Sequence, residues 1–378
     1  MKNKRLTTWE AACIITGYGI GAGVLSMPYL AEKNGFIVAE LILVVALAAS
    51  YILHMMIADL ALKTGNGGQI ISCLSRFLFR GKAKRVLEIT FFTLMGLILI
   101  TNLAAYISGA EEVIAGLLPV SETVAGLLFY AVAASVVLFG LKAIGVSEKL
   151  AVTVIFILIA VLAVASCGAR HYPVALFGGN LNQMLAYYGL AMFAMAAFFS
   201  VPQAVEGLGG DGKKIKKAVF IGLFNNFILI TVISFCAIWA SEEVSELSMV
   251  AWSKGIGLWA QVIGSLFTVL AMLTTYWSLS FALGGIINDM LKTGDRWSWL
   301  IATLPSLILA VFGLGDFMDL MRTAGGLIAI VIAVMVVPAY INAGKDVPGS
   351  LLRHTGPMVE ILTIIAYVLM AVGSVVPY

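Results

Sequence analysis

Two short segments carry residues that change what a backbone can do. Residues 16–28 run Thr-Gly-Tyr-Gly-Ile-Gly-Ala-Gly-Val-Leu-Ser-Met-Pro, placing Gly17, Gly19, Gly21 and Gly23 within seven positions ahead of Pro28. At about 1 kcal/mol per Gly relative to Ala, continuous helix is hard to maintain there, and the spacing predicts an unwound segment. Residues 198–207 place Pro202 among Phe198, Phe199, Ser200, Gln203 and Glu206 in an otherwise apolar stretch, and a proline has no N–H to give. A broken helix leaves free N–H groups at one half-helix N-terminus and free carbonyls at the other half's C-terminus. The first attract anions and the second attract cations. The chemistry is therefore recognition of a small charged or dipolar species by the main chain, not bond-making. Close helix packing through small residues would account for any single glycine pair, but four glycines followed by a proline favour a break.

The elements that hold these breaks are apolar. Of 378 residues, 61% are hydrophobic and 11% charged, and the mean hydropathy is +1.03. That excludes a soluble globular domain, which carries about 25% charged residues, and it excludes disorder. A net charge of +3 offers no nucleic-acid-binding surface, so the expected surroundings are a lipid bilayer. Cys13, Cys73, Cys167 and Cys236 stand singly, without the spacing of a metal site or a disulfide framework, and read as packing residues.

Stretches free of Asp, Glu, Lys and Arg long enough to cross the hydrocarbon core number eleven: 11–31, 41–58, 89–110, 123–141, 150–169, 172–205, 218–241, 255–288, 297–315, 323–344 and 361–378. With the N-terminus inside, the intervening inside segments are 1–8, 63–85, 142–149, 209–217, 289–296 and 343–356. They hold nineteen of the 23 Lys and Arg: Lys2, Lys4, Arg5, Lys63, Arg76, Arg80, Lys82, Lys84, Arg85, Lys142, Lys149, Lys213, Lys214, Lys216, Lys217, Lys292, Arg296, Lys345 and Arg353. Lys33, Arg170, Lys254 and Arg322 fall outside with Glu111, Glu112, Glu242, Glu243, Glu246, Asp316 and Asp319. This asymmetry obeys the positive-inside rule. An added span in either long stretch would invert it, so 172–184 reads as an outside loop and span 8 as long and tilted. No signal-peptide cleavage pattern is evident and the longest inside segment is 63–85, which argues against an enzyme with an aqueous catalytic domain.

The broken spans are the first and the sixth, five apart and oppositely oriented. Corresponding breaks in two inverted halves point to a secondary transporter with its site near the bilayer midplane. The fold class expected is an all-α polytopic membrane protein of eleven spans with a five-plus-five inverted repeat. Its units are 1–170 (spans 1–5), 171–344 (spans 6–10) and 345–378 (an additional span 11).

Three motifs carry a family resemblance over nearly the whole chain: Gly-Ala-Gly-Val-Leu-Ser-Met-Pro at 21–28, Tyr-Ile-Ser-Gly-Ala at 106–110, and Gly-Asp-Gly-Lys-Lys-Ile-Lys-Lys-Ala at 210–218. The sequence resembles the amino acid/auxin permease family, in its bacterial branch that includes the aromatic amino acid permeases, within the amino acid, polyamine and organocation transporter superfamily. The resemblance implies an amino acid held at the two breaks and coupling to Na+ or H+. It leaves the particular amino acid open. For an amino acid, the N–H groups around Gly21, Ala22 and Gly23 suit the carboxylate, and carbonyls near Thr16, Gly17, Phe198 and Phe199 suit the ammonium. No Arg or Asp stands in either break, which fits a zwitterion better than a polyamine or a dicarboxylate. Selectivity is expected from Tyr18, Phe198, Phe199, Ser200 and Gln203, with Asn102 and Tyr106 on one face of span 3. Packing explains Phe198 and Phe199 equally well, and Asn102 reads first as an interhelical hydrogen-bonding residue.

The resemblance also implies a Na+ site between spans 1 and 8, formed by backbone oxygens at Ile15, Tyr18 and Ala271 with the hydroxyls of Thr274 and Thr275. Na+ is the only cofactor-like species expected. Proton coupling is the alternative, and it needs a titratable group in the membrane. Span 5, residues 150–169, has no Lys, Arg, Asp or Glu; Glu206, Glu88 and His54 are the candidates, Glu206 reading first as an inner-gate ion-pair partner and His54 as structural. The function expected is Na+-driven symport of a neutral amino acid by alternating access in a prokaryotic cytoplasmic membrane, by a monomer with its N-terminus inside and C-terminus outside. An amino-acid-sensing protein similar to germinant-receptor subunits is the reading from a different class.

Overall fold

The computed structural model describes residues 5–65, 68–244, 248–313, 317–347, 349–352 and 356–377. Lys2, Lys4, Glu246, Asp316 and Arg353 lie outside the described residues, as do the side chains of Ala22, Asp319 and Arg322.

Among the described residues the chain forms sixteen α-helices. Span 1 is α1 (Thr8–Gly19), α2 (Ala22–Leu25) and α3 (Met27–Asn34), followed by α4 (Phe36–Thr64), the short α5 (Ile70–Phe77), α6 (Lys84–Leu117), α7 (Glu122–Leu138) and α8 (Leu141–Ser166). The second half repeats the pattern of a split helix and long ones. It comprises α9 (Leu181–Ala194), α10 (Ser200–Gly207), α11 (Gly212–Ala240), α12 (Ser248–Ile256), α13 (Leu258–Leu291), α14 (Asp295–Val311), α15 (Phe317–Asp346) and α16 (Pro357–Val375). Six of these helices, α4, α6, α8, α11, α13 and α16, are long and apolar enough to cross a membrane by themselves.

The helices are apolar on both sides because both neighbours, core and lipid, are apolar. Leu43, Leu53, Leu99 and Leu103 are buried, while Leu41, Leu97, Val164 and Leu258 on the same class of helix are exposed. Helix starts are set by polar caps. Thr7 and Glu10 form a reciprocal box at α1, Asn180 and Gln183 one at α9, and Asp211 accepts from the N–H groups of Lys213 and Lys214 at α11. The hydrogen bonds from those N–H groups and the Lys214 side chain hold the Asp211 carboxyl below its ordinary pKa. Gly35, at φ 78°, turns the chain between α3 and α4, and a Cβ there would lie 2.6 Å from the Phe177 backbone.

Segments assigned to one side by charge meet one another at one end of the bundle. Lys142 Nζ lies 2.6 Å from Glu10 Oε2, Arg80 pairs with Asp346 at 2.6 Å, Ser72 donates to Asp289, and the Leu6 N–H donates to the Gly207 carbonyl. At the other end, Phe36 and Ile37 donate to Ala175 and Leu176, Tyr172 donates to Trp239, and Asn34 donates to Gln183. The four cysteines are free thiols.

The observed boundaries shift one reading with chemical consequence. Residues 142–149 are not a loop: α8 begins at Leu141, so span 5 contains Glu148, fully buried, with Lys142 and Lys149 on the same helix. Likewise α6 begins at Lys84, α13 runs to Leu291, and the segment 63–85 contains α5.

Candidate functional site

The break in span 1 is narrower than the glycine run predicts. Thr16, Gly17, Tyr18 and Gly19 stay helical, and Ile20–Gly21 interrupts the helix. A second discontinuity at Ser26 precedes α3, where Pro28 sits in the first turn that tolerates it. The Thr16 carbonyl is already used, accepting from the Ile20 N–H at 3.0 Å. The carbonyls engaged across the bundle are those of Gly17 and Tyr18.

Each glycine admits a particular neighbour. A Cβ at Gly17 would collide with Glu148 Oε2 and lie 2.8 Å from Thr274 Cβ; one at Gly19 would collide with the Asn226 amide and lie 2.8 Å from the Ala194 carbonyl oxygen. A Cβ at Gly21 would lie 2.8 Å from both Thr275 Oγ1 and Tyr106 Oη, and one at Gly23 3.0 Å from the Phe193 ring and 3.2 Å from Ala194 Cα. Four glycines therefore draw α6, α8, α9, α11 and α13 against one stretch of chain.

The break in span 6 is Met195–Phe199, between α9 and α10, so it precedes Pro202. Pro202 is the third residue of α10, where its missing N–H costs no helical hydrogen bond. Side chains satisfy the freed backbone. His54 Nε2 accepts from the Ala197 N–H at 2.7 Å while Nδ1 lies 2.6 Å from the Ser50 carbonyl oxygen, which places the ring proton on Nδ1. Ser200 Oγ donates to the Ala197 carbonyl at 2.9 Å, and Gln203 Nε2 donates to the carbonyls of Phe199 at 3.1 Å and Ser278 at 2.7 Å. The imidazole of His54 stacks on Phe198, and the Phe199 ring lies 6.4 Å from that of Tyr18, so the two breaks face each other through aromatic rings.

Between the span 1 break and α13, five oxygens converge. Thr274 Oγ1 donates to the Gly17 carbonyl at 3.0 Å and the Ala271 carbonyl at 2.9 Å; Thr275 Oγ1 lies 3.1 Å from Gly17 O, 3.3 Å from Tyr18 O and 3.1 Å from Ala271 O. Of the residues expected around Na+, Tyr18, Ala271, Thr274 and Thr275 are thus together. Gly17 supplies the other span 1 carbonyl, and the Ile15 side chain packs toward Gly222 of α11. The donor set is all oxygen, neutral and partly released by a helix break, which suits a hard monovalent cation.

Asn102 and Tyr106 are buried on α6, Tyr106 facing Gly21. Glu206 lies apart from this cluster, lining a vestibule of about 2500 Å³ at the basic end of the bundle together with Arg5, Arg85, Lys142 and Asp289. Several buried polar atoms near the breaks have no hydrogen-bond partner among the described residues: Ser26 Oγ, Asn102 Oδ1, Gln203 Oε1, Glu148 Oε2 and both side-chain atoms of Asn226. Unsatisfied polar atoms in an apolar bundle are groups whose pairing a polar ligand can complete.

Sequence reasoning missed Glu148 and Asn226. Glu148 was hidden because spans were delimited by the absence of charge. Asn226 had a readable signal, the adjacent Asn225 and Asn226 in the middle of an apolar span; Asn225 Nδ2 donates to Thr16 Oγ1 at 3.1 Å.

A sequence-family model described as the tryptophan/tyrosine permease family matches residues 4–372. No curated protein matches the sequence. Solved structures with a similar fold include two transporters. One is MHP1, a nucleobase-cation-symport-1 family transporter in a closed conformation with bromovinylhydantoin bound, with a TM-score of 0.68 at 11% identity over 98% of this chain and 91% of that one. The other is MhsT in complex with L-phenylalanine, with a TM-score of 0.67 at 13% identity over 99% of each chain.

Proposed function

The chain belongs to the tryptophan/tyrosine permease family, an integral membrane transporter rather than an enzyme, and from that premise we propose that it carries a neutral amino acid with an aromatic side chain by cation-coupled symport. The observation that carries this reading is the convergence of both helix breaks on one buried locus where backbone dipoles, aromatic rings and a five-oxygen cluster meet. In it, the start of α2 at Gly21, Ala22 and Gly23 receives the substrate carboxylate, and the carbonyl side of the span 6 break receives the ammonium. Tyr18, Tyr106, Phe198 and Phe199 supply apolar surface for the side chain, with Asn102, Ser200 and Gln203 setting its polar edge. The coupling cation is Na+, held by Gly17 O, Tyr18 O, Ala271 O, Thr274 Oγ1 and Thr275 Oγ1.

The proposed topology has eleven spans, with α1–α3 and α9–α10 each counted as one, in a five-plus-five inverted repeat plus α16. The basic end faces the cytoplasm of a prokaryotic cell, and the family sits within the wider amino acid/auxin permeases. In that orientation the vestibule lined by Glu206 is the inner release route, and transport alternates it with an opening at the other end.

Proteoliposomes test the reading. Labelled tryptophan, tyrosine or phenylalanine should accumulate under an imposed Na+ gradient. Binding without accumulation would remove the transport mechanism proposed here, and accumulation that follows a pH gradient with Na+ absent would replace Na+ by H+.

A further inference from the structure

The five-oxygen cluster contains no formal negative charge, yet a buried carboxyl stands beside it. Glu148 of α8 is fully buried. Its Oε1 accepts from Ser278 Oγ of α13 at 3.0 Å, and its Oε2 has no hydrogen-bond partner among the described residues. The basic residues on its own helix are turned elsewhere: Lys142 pairs with Glu10, and Lys149 is exposed. A carboxylate taken out of water with one neutral donor and one bare oxygen is costly unless a proton neutralises it or a cation joins it.

The bare oxygen lies beside two residues of the cluster. Oε2 comes so close to Gly17 that a Cβ there would collide with it, and the same Cβ would lie 2.8 Å from Thr274 Cβ. Gly17 and Thr274 supply two of the five oxygens. The missing side chain at Gly17 is thus what lets a carboxylate from α8 reach the place where α1 and α13 present their oxygens.

We propose that Glu148 is the anionic ligand of the coupling-cation site, making it a three-helix site of α1, α8 and α13 rather than a neutral two-helix one. This rests on the reading of the oxygen cluster as a Na+ site. One carboxylate balances one monovalent charge in a low-dielectric interior and would leave a divalent ion with an uncompensated charge, so the site selects monovalent cations. Glu148 also ties the cation to the second break. Its partner Ser278 offers its carbonyl to Gln203, and Gln203 holds the Phe199 carbonyl. Occupancy at Glu148 is in this way two side chains from the backbone proposed to hold the substrate ammonium.

Equilibrium binding of radiolabelled Na+ to the purified full-length protein in nanodiscs tests this without transport. The wild type should bind Na+ saturably, with Li+ competing and Ca2+ not. Glu148→Gln keeps the shape and removes the charge, and it should weaken Na+ affinity at least tenfold while the protein stays monodisperse. Unchanged Na+ affinity in Glu148→Gln beside a wild type that binds Na+ overturns the role of Glu148 and leaves the Na+ reading standing. A wild type that binds no Na+ overturns both. Should Glu148→Gln not yield folded protein, Glu148→Asp, which draws the charge back by one methylene, replaces it: weaker Na+ binding supports the proposal and an unchanged affinity overturns it.

Discussion

At Ile20–Gly21 the chain is interrupted where glycines remove side chains, so that neighbouring elements press against the backbone; at Met195–Phe199 it is interrupted where side chains from elsewhere are supplied to it. Along the glycine run in and around the first break, Glu148, Asn226, Tyr106, Thr275 and Phe193 occupy the space that four Cβ atoms would fill. In the second, His54, Ser200 and Gln203 take up the N–H of Ala197 and the carbonyls of Ala197 and Phe199. Broken backbone at membrane depth survives only where protein or a cavity satisfies it. One break achieves this by close approach and the other by hydrogen-bond substitution, so they should fail differently: the first to added volume, the second to a deleted polar atom.

The largest effect is expected from volume at the first break. Gly23→Leu places its Cβ 3.0 Å from the Phe193 ring and 3.2 Å from the Ala194 backbone, which has little room to yield. Overpacking of this kind costs about 1–3 kcal/mol, and more where backbone must move. Substrate binding by scintillation proximity should fall about 100-fold, the equivalent of roughly 2.7 kcal/mol. Normal binding by Gly23→Leu would show that the glycines are not packed as described.

Next comes the deleted acceptor at the second break. His54→Ala leaves the Ala197 N–H without the acceptor it has at 2.7 Å, in a buried position. Leaving a buried donor unpaired costs about 1–3 kcal/mol, so the melting temperature in detergent should drop, with uptake falling in parallel. His54→Phe, which refills the volume and still stacks on Phe198, should not restore it. If it does, the ring serves by packing alone and the contrast between the breaks dissolves.

A smaller effect is expected where the first break meets the proposed cation site. Thr275→Val keeps the side-chain shape and removes an oxygen that contacts Gly17, Tyr18 and Ala271. Apparent Na+ affinity for stimulation of uptake should weaken about tenfold, or roughly 1.4 kcal/mol, with the maximal rate kept at saturating Na+. An unchanged Na+ dependence would move the cation away from Thr275.

Both breaks were legible in the sequence for a plain reason: in an apolar helix, Gly and Pro are the residues that disturb the backbone, and they stand out against Leu, Ile and Val. Their positions were less legible. Glycine lowers helix stability without dictating which residue unwinds, and here tertiary contacts keep Gly17–Gly19 helical while Ile20–Gly21 opens. Threonine oxygens on α13 were visible as a pair, but the carbonyls they meet depend on where α1 stops. Glu148 shows the sharper limit. A span defined by missing charge ends at the first charged residue, here Lys149, so the acid one position further along the same helix falls outside it. The clue lay in the helix propensity of 141–150, which contains no breaker other than Gly145.

The smallest effect on uptake concerns Pro202, the residue by which the second break was recognised. If proline made that break, replacing it would restore a continuous span 6 and stop transport. Yet α10 has already begun at Ser200, Pro202 occupies its first turn, and a first-turn N–H has no helical acceptor to lose. The interruption is held by His54, Ser200 and Gln203 instead, none of which needs a proline. Pro202 is buried, so Pro202→Ala should lower the melting temperature by the equivalent of about 1–2 kcal/mol for the lost ring carbons, yet leave uptake close to wild type. The same substitution tests the comparison from its weak side. A large loss of uptake in Pro202→Ala would mean that the second break, like the first, depends on its own backbone residues rather than on side chains brought to it by α4 and α10.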